Sequence, residues 1–172
     1  MARALDEQGR RRRNVMKHTR TFVVLLAVGT AAVAGEKPKP NARDAVEGYV
    51  AAALAGKVED AAALAVEGQS PAKKERIEQF KGLLSVKAFK ITRVLVGEKK
   101  GQAIAVSEAV KLTKASPDGQ DTGCLVFALV KSRDKWLVKD IDFRTEEAAK
   151  EKVNGFEKKN PGAKEIPAKS EK

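Results

Sequence analysis

At Val86 the spacing of apolar residues changes from three and four to two, and this change limits the chain to few architectures. Before it, Ala45, Val46, Tyr49, Val50, Ala53 and Leu54 share one helical face, with Asn41 placed to cap that helix and Gly56 to stop it. A second helix is expected from Val58 to Val66, ending at Gly68, and a third behind Ser70 as N-cap and Pro71 at the first helical position. Ile77, Phe80, Leu83 and Leu84 form the apolar side of that third helix. After Val86, β-branched residues accumulate in four strands, Lys87–Val96, Gln102–Lys114, Thr122–Lys131 and Trp136–Phe143. Their connections, GEKK, ASPDGQD and SRDK, are rich in turn formers, so each neighbouring pair should be an antiparallel hairpin. Thr145 then caps a short last helix with a stripe of Ala149, Val153 and Phe156. The order is that of an α+β domain, with N-terminal helices packed on a four-stranded antiparallel meander and a short C-terminal helix. Val50, Leu54, Phe80, Leu83, Phe127 and Leu129 are expected in its core.

The third strand, Cys124 to Val130, is apolar on both faces, so both need a cover. The terminal helix is one candidate and a homodimer partner docking on the sheet is the other; self-association through the sheet is the expectation. Cys124 reads as a small buried hydrophobe rather than a reactive thiol.

The N-terminal region reads as an export signal. Thr21 to Gly35 is an uncharged run between Arg20 and Glu36, about 22 Å long as a helix against roughly 30 Å of bilayer hydrocarbon. It follows a basic segment, and Ala32-Val33-Ala34 supplies the small-x-small pattern read by a signal peptidase. The expected signal is residues 1–34, with an uncleaved anchor as the competing reading, no stable membrane span after processing, and a periplasmic or extracellular location in a bacterium. Arg12-Arg13 followed by Val15, Met16 and Lys17 resembles a twin-arginine signal, while Met16 opens an ordinary signal by itself. No cysteine lies near the end of the run to take a lipid. Residues 35–41 form a Pro-containing linker, 42–156 a single domain, and 157–172 a disordered Lys-rich tail.

Composition then excludes chemistries. The 172 residues contain one His and one Cys, and His18 falls in the signal, so a His-centred triad, a Cys/His zinc site and an internal disulfide all lack their parts. No phosphate-binding Gly-rich loop, metal-ligand cluster or nucleophile elbow is present in the sequence, and no cofactor or metal is expected. Beyond the signal 27 basic and 21 acidic residues remain, the excess lying largely in the tail. Aromatics are not interleaved with these basic residues, which argues against nucleic acid.

The stretch DAVEGYVAAALAGKVEDAAAL, Asp44 to Leu64, and the closing WLVKDIDF, Trp136 to Phe143, resemble the nuclear transport factor 2-like superfamily, with its ketosteroid isomerases and polyketide cyclases. The resemblance implies a curved sheet wrapped round a helix, a cone of the cystatin-like kind with a pocket at its wide end. It also implies a role for Tyr49 as donor to a developing oxyanion, with a carboxylate some two dozen residues later as base. That stretch here carries Lys73 and Lys74 instead. The alternative for Tyr49 is a core residue whose hydroxyl is tied to one partner.

Other carboxylates could serve. On an undistorted strand Glu108 shares the face of Ile104, Val106, Val110 and Leu112; a β-bulge near Ser107 would turn it outward. Arg93 similarly interrupts Phe89, Ile91 and Leu95, and counting through the GEKK turn sets Arg93 opposite Ile104 and Phe89 opposite Glu108, too far apart for Arg93 and Glu108 to pair. Asp140 and Asp142 share a strand face with Trp136 and Val138. The pocket-lining set expected is Tyr49, Phe80, Arg93, Glu108, Phe127, Trp136 and Asp140, with Tyr49 and Glu108 as catalytic candidates. Three readings of function follow. The first is an exported, non-catalytic module binding a small apolar ligand or an envelope protein. The second is an isomerase- or cyclase-like enzyme using Tyr49 with Glu108, Asp140 or Asp142. The third is weak binding of polyanion or cell envelope through the tail.

Overall fold

The computed structural model describes residues 41–98, 101–116 and 119–168; the expected signal and nearly all of the linker lie outside the described residues. Helix α1 spans Ala42–Leu54. Asn41 caps it reciprocally, its side chain accepting the Asp44 N–H at 3.0 Å while the Asp44 carboxylate accepts the Asn41 N–H at 3.1 Å. Gly56 then takes a positive φ of 74°, a conformation that costs glycine little. Helix α2 is shorter than its apolar pattern implies, Val58–Ala62. Beyond it the chain passes beside the sheet, where the Val138 N–H donates to the Leu64 carbonyl and the Val66 N–H to the Val138 carbonyl. Ser70 does not cap the third helix. Ser70–Ala72 forms a separate 3₁₀ turn, Lys73 is extended, and α3 begins at Lys74 and ends at Leu83.

The strands are β1 Ile91–Val96, β2 Gln102–Lys111, β3 Thr122–Ser132 and β4 Lys135–Arg144. Helix α4, Glu146–Lys159, starts at Thr145, whose hydroxyl accepts the Ala148 N–H at 3.1 Å. The curved sheet has a fifth strand, β5 Lys164–Glu165, and runs β4-β3-β2-β1-β5 with every neighbouring pair antiparallel. The segment expected to be a disordered tail is therefore in part structural. Arg43, 2% exposed on α1, holds it in place. Its guanidinium donates to the Ile166 carbonyl at 3.0 Å and to the Ile91 carbonyl at 2.7 Å. A buried arginine with carbonyl acceptors satisfies groups that would otherwise lose water without replacement.

Helices α1 and α3 cover one face of the sheet, where Val46, Tyr49, Ile77 and Phe80 pack with Val94, Ala105, Phe127, Leu129 and Val138. Helix α4 covers the other, its Ala149 and Val153 lying on Leu95, Ile104, Cys124 and Val126. The two-sided apolarity of β3 is met within one chain, so the reason for expecting a dimer through the sheet is removed. Cys124 is buried as expected, and burial, with Glu146 nearby, pushes its thiol pKa up against a smaller opposing effect of Lys150. Leu83, expected in the core, is instead 51% exposed.

Three β-bulges decide which face each charged residue occupies. One falls between Ile91 and Arg93, one at Ser107-Glu108, and one at Lys139, where Leu129 pairs with Val138 and Ala128 with Asp140. An extra residue reverses the alternation of a strand from that point on. Thus Ile104 and Val106 face α4 while Val110 and Leu112 face the other helices, and Ile91 packs on the helix side while Leu95 packs under α4. The counted register is corrected accordingly: Arg93 lies opposite Val106, and Leu95 opposite Ile104.

Candidate functional site

Between the 3₁₀ turn, α3, the loop after β2 and the C-terminal half of β4 lies a cavity of about 510 Å³. Its walls are largely apolar, made by Tyr49, Pro71, Phe80, Leu83, Leu84, Leu112, Leu125, Ile141 and Phe143. Ser70, Arg76, Lys114, Ala115 and Ser116 also line it. The volume is in the range of small-molecule pockets. Local chemistry explains the opening. Lys73, extended between the turn and α3, sets the helix off from the turn, and α3 stops at Leu83. The segment after α3 is tied to the sheet by the Ser85 N–H donating to the Lys111 carbonyl and by the Thr113 N–H donating to the Leu83 carbonyl, both at 2.9 Å.

Tyr49 projects from α1 into the back of this cavity and is 1% exposed. Its hydroxyl donates to the Pro71 carbonyl at 3.0 Å, and its ring meets Phe80 edge-on with centroids 6.2 Å apart. Burial pushes its pKa up to about 12. The tyrosine is thus a core residue with its hydroxyl tied to one partner, the second of the two readings open from sequence. A donor already engaged with a backbone carbonyl would have to give up that bond before serving an oxyanion.

None of the expected carboxylates lines this cavity. Glu108 is exposed; its carboxylate accepts the Lys90 N–H at 2.9 Å, and its own N–H donates to the Lys90 carbonyl at 2.9 Å, clasping the start of β1. The bulge that turns it is held by buried Ser107, whose hydroxyl accepts the Leu125 N–H at 2.9 Å and donates to the Glu108 carbonyl at 2.6 Å. Glu108 and Arg93 border a different hollow, of about 300 Å³, beside α4. There Arg93 is engaged by Glu157 at 2.9 Å and Glu165 at 3.2 Å, so it joins α4 and β5 to the sheet instead of lining the cavity.

Asp140 is exposed, with its side chain accepting the Ile141 N–H. Asp142 points toward α4, where it pairs with Lys152 and with Arg144. Burial alone would raise its pKa, but hydrogen bonding and charge from Lys152, with a smaller contribution from Arg144, hold it below the ordinary value. The bulge at Lys139 explains both placements, since it separates Asp140 and Asp142 from the face of Val138 and brings Ile141 and Phe143 to the cavity. Phe127 is fully buried in the core, and Trp136 packs partly against the same core near the β3–β4 turn; neither lines the cavity. Of the seven residues expected to line a pocket, Tyr49 and Phe80 line this cavity, while Arg93 and Glu108 border the hollow beside α4. Arg76, Lys114 and Leu83 were missed, the first two because exposed charges read as solvated and the last because its spacing reads as core. Among the described residues no group of His, Cys, Asp or Glu is placed to hold a metal ion. No helix among them is long and apolar enough to cross a membrane.

No protein-family model matches the chain, and no curated protein matches it. A search of solved structures finds similarity to a crystal structure from Xanthomonas campestris, described as a candidate calcium/calmodulin dependent protein kinase II association domain, at 1.70 Å resolution. The match has 20% sequence identity and a TM-score of 0.37, and covers 57% of this chain and 81% of the other.

Proposed function

We propose that this chain is an exported, non-catalytic module of the nuclear transport factor 2-like superfamily that holds a small apolar ligand between α3 and the sheet. The observation that carries the reading is the cavity of about 510 Å³, with apolar walls, no carboxylate among the described residues that line it and its tyrosine committed to the Pro71 carbonyl. Proton transfer next to a carbonyl needs a base within reach of the substrate, and the side chains proposed for that role stand elsewhere on the sheet. Apolar walls supply binding through removal of ligand surface from water. Leu83 supports the same reading, being the large apolar side chain left half exposed at the cavity's edge. The signal-like run Thr21–Gly35 and the Ala32-Val33-Ala34 pattern support export.

Titration with short uncharged alcohols tests the binding reading. Binding should tighten about fourfold for each methylene added between hexanol and decanol, following the free energy of burying a methylene. Leu83→Glu, a change at an exposed position, should weaken decanol binding about tenfold or more while leaving the circular dichroism spectrum unchanged. Absence of decanol binding, or equal binding by the variant, would defeat the proposal.

A further inference from the structure

We infer that the ligand is a single-chain amphipathic anion, its apolar chain against Phe80 and Leu125 and its headgroup at Arg76 and Lys114. The inference rests on the cavity-binding reading above and extends it to the ligand's class. Among the described residues that line the cavity the charged side chains are both cationic, Arg76 from α3 and Lys114 from the loop after β2. Both are exposed, and neither makes an ion pair with another described residue. Phe80 and Leu125 are buried, 7% and 5% exposed. The cavity therefore has a gradient of character, with hydrocarbon within and positive charge at its edge. A neutral apolar molecule would fill the interior and leave the two cations in water, whereas a cationic amphiphile would bring like charges together. A carboxylate or phosphate on an alkyl chain satisfies both parts, since guanidinium offers paired donors to either oxyanion and ammonium a point charge.

The test compares decanol, decanoate, decyl phosphate and decyltrimethylammonium, each below its micelle concentration, by calorimetric titration of the full chain. Decanoate and decyl phosphate should bind about tenfold more tightly than decanol at low salt, roughly threefold for each exposed cation. The advantage should shrink as salt screens it. Whichever of the two binds more tightly identifies a carboxylate or a phosphate headgroup. In the double variant Arg76→Gln, Lys114→Gln the anions should fall to the affinity of decanol, with decanol itself unchanged. If decanol or the ammonium compound matches the anions, or the double variant keeps the preference, the inference about charge is overturned while cavity binding stands. If none of the four binds, the cavity-binding reading fails with it.

Discussion

On one face of the sheet α1 and α3 bury Val94, Ala105, Phe127 and Val138 under aromatic and aliphatic side chains. On the other, α4 alone covers Leu95, Ile104 and Val126, and charges at its edges tie it down, Lys152 to Asp142 and Glu157 to Arg93. The first face supplies the cavity, because it is built from separate short helices that leave space where α3 ends. The second is covered by one continuous helix whose small residues Ala149 and Val153 lie close on the sheet, with more open hollows of about 300 and 660 Å³ along its sides. The difference shows how a strand apolar on both faces is accommodated in one chain. A deep apolar layer carries the stability of the larger face, and a thin layer reinforced by ion pairs carries that of the smaller.

The largest expected effect separates these two layers. Phe127→Ala removes a fully buried ring from the helix side and should cost about 3–5 kcal/mol in urea denaturation. Val153→Ala, on α4, should cost about 1–2 kcal/mol. Equal losses would mean that the faces contribute alike, and the comparison would fail.

The next effect concerns the C-terminal strap. Arg43→Met should cost about 2 kcal/mol, because it removes charged donors from the Ile91 and Ile166 carbonyls. The Ile166 N–H, which donates to the Val94 carbonyl, should then lose protection in hydrogen exchange before the amides of β3 do. Unchanged protection at Ile166 would show that β5 pairs with β1 independently of the arginine.

The smallest effect sharpens the contrast in electrostatics. Asp142 has a folded pKa below its ordinary value of 3.8, so its stabilising contribution is complete above that value and is lost as pH falls through the folded value. Asp142→Asn should therefore cost at most about 1 kcal/mol at neutral pH, and the gap from the native protein should close on acidification below 3.8. A gap that persists at low pH would assign the cost to packing of the amide instead of loss of the ion pair.

Much of the fold was legible in local patterns. Asn41 caps α1 as anticipated, with Asp44 completing the cap, Thr145 starts the anticipated last helix, and the four hairpin strands fall within a few residues of their expected ends. These features depend on groups a few residues apart, whose hydrogen bonds and turn preferences are expressed wherever the segment sits. The site was less legible. Phe80 and Tyr49 were found because an apolar helical face must turn inward, but Arg76 and Lys114 come to border one cavity only when α3 and the loop after β2 are brought together. Arg43 looked like a surface charge, since nothing near it in sequence announces the Ile91 and Ile166 carbonyls that it serves.

The sequence by itself determined the order of α1 to α4 and β1 to β4, the caps of the first and last helices and the need for apolar cover on both faces of β3. Only the tertiary structure decided the directions of Glu108, Arg93, Asp140 and Asp142, and with them the absence of these carboxylates from the cavity lining. The physical reason lies in the bulges. Strand alternation has a period of two, so one inserted residue reverses every side chain beyond it, and the bulge itself is stabilised by contacts from distant strands such as that of Ser107 with the Leu125 N–H.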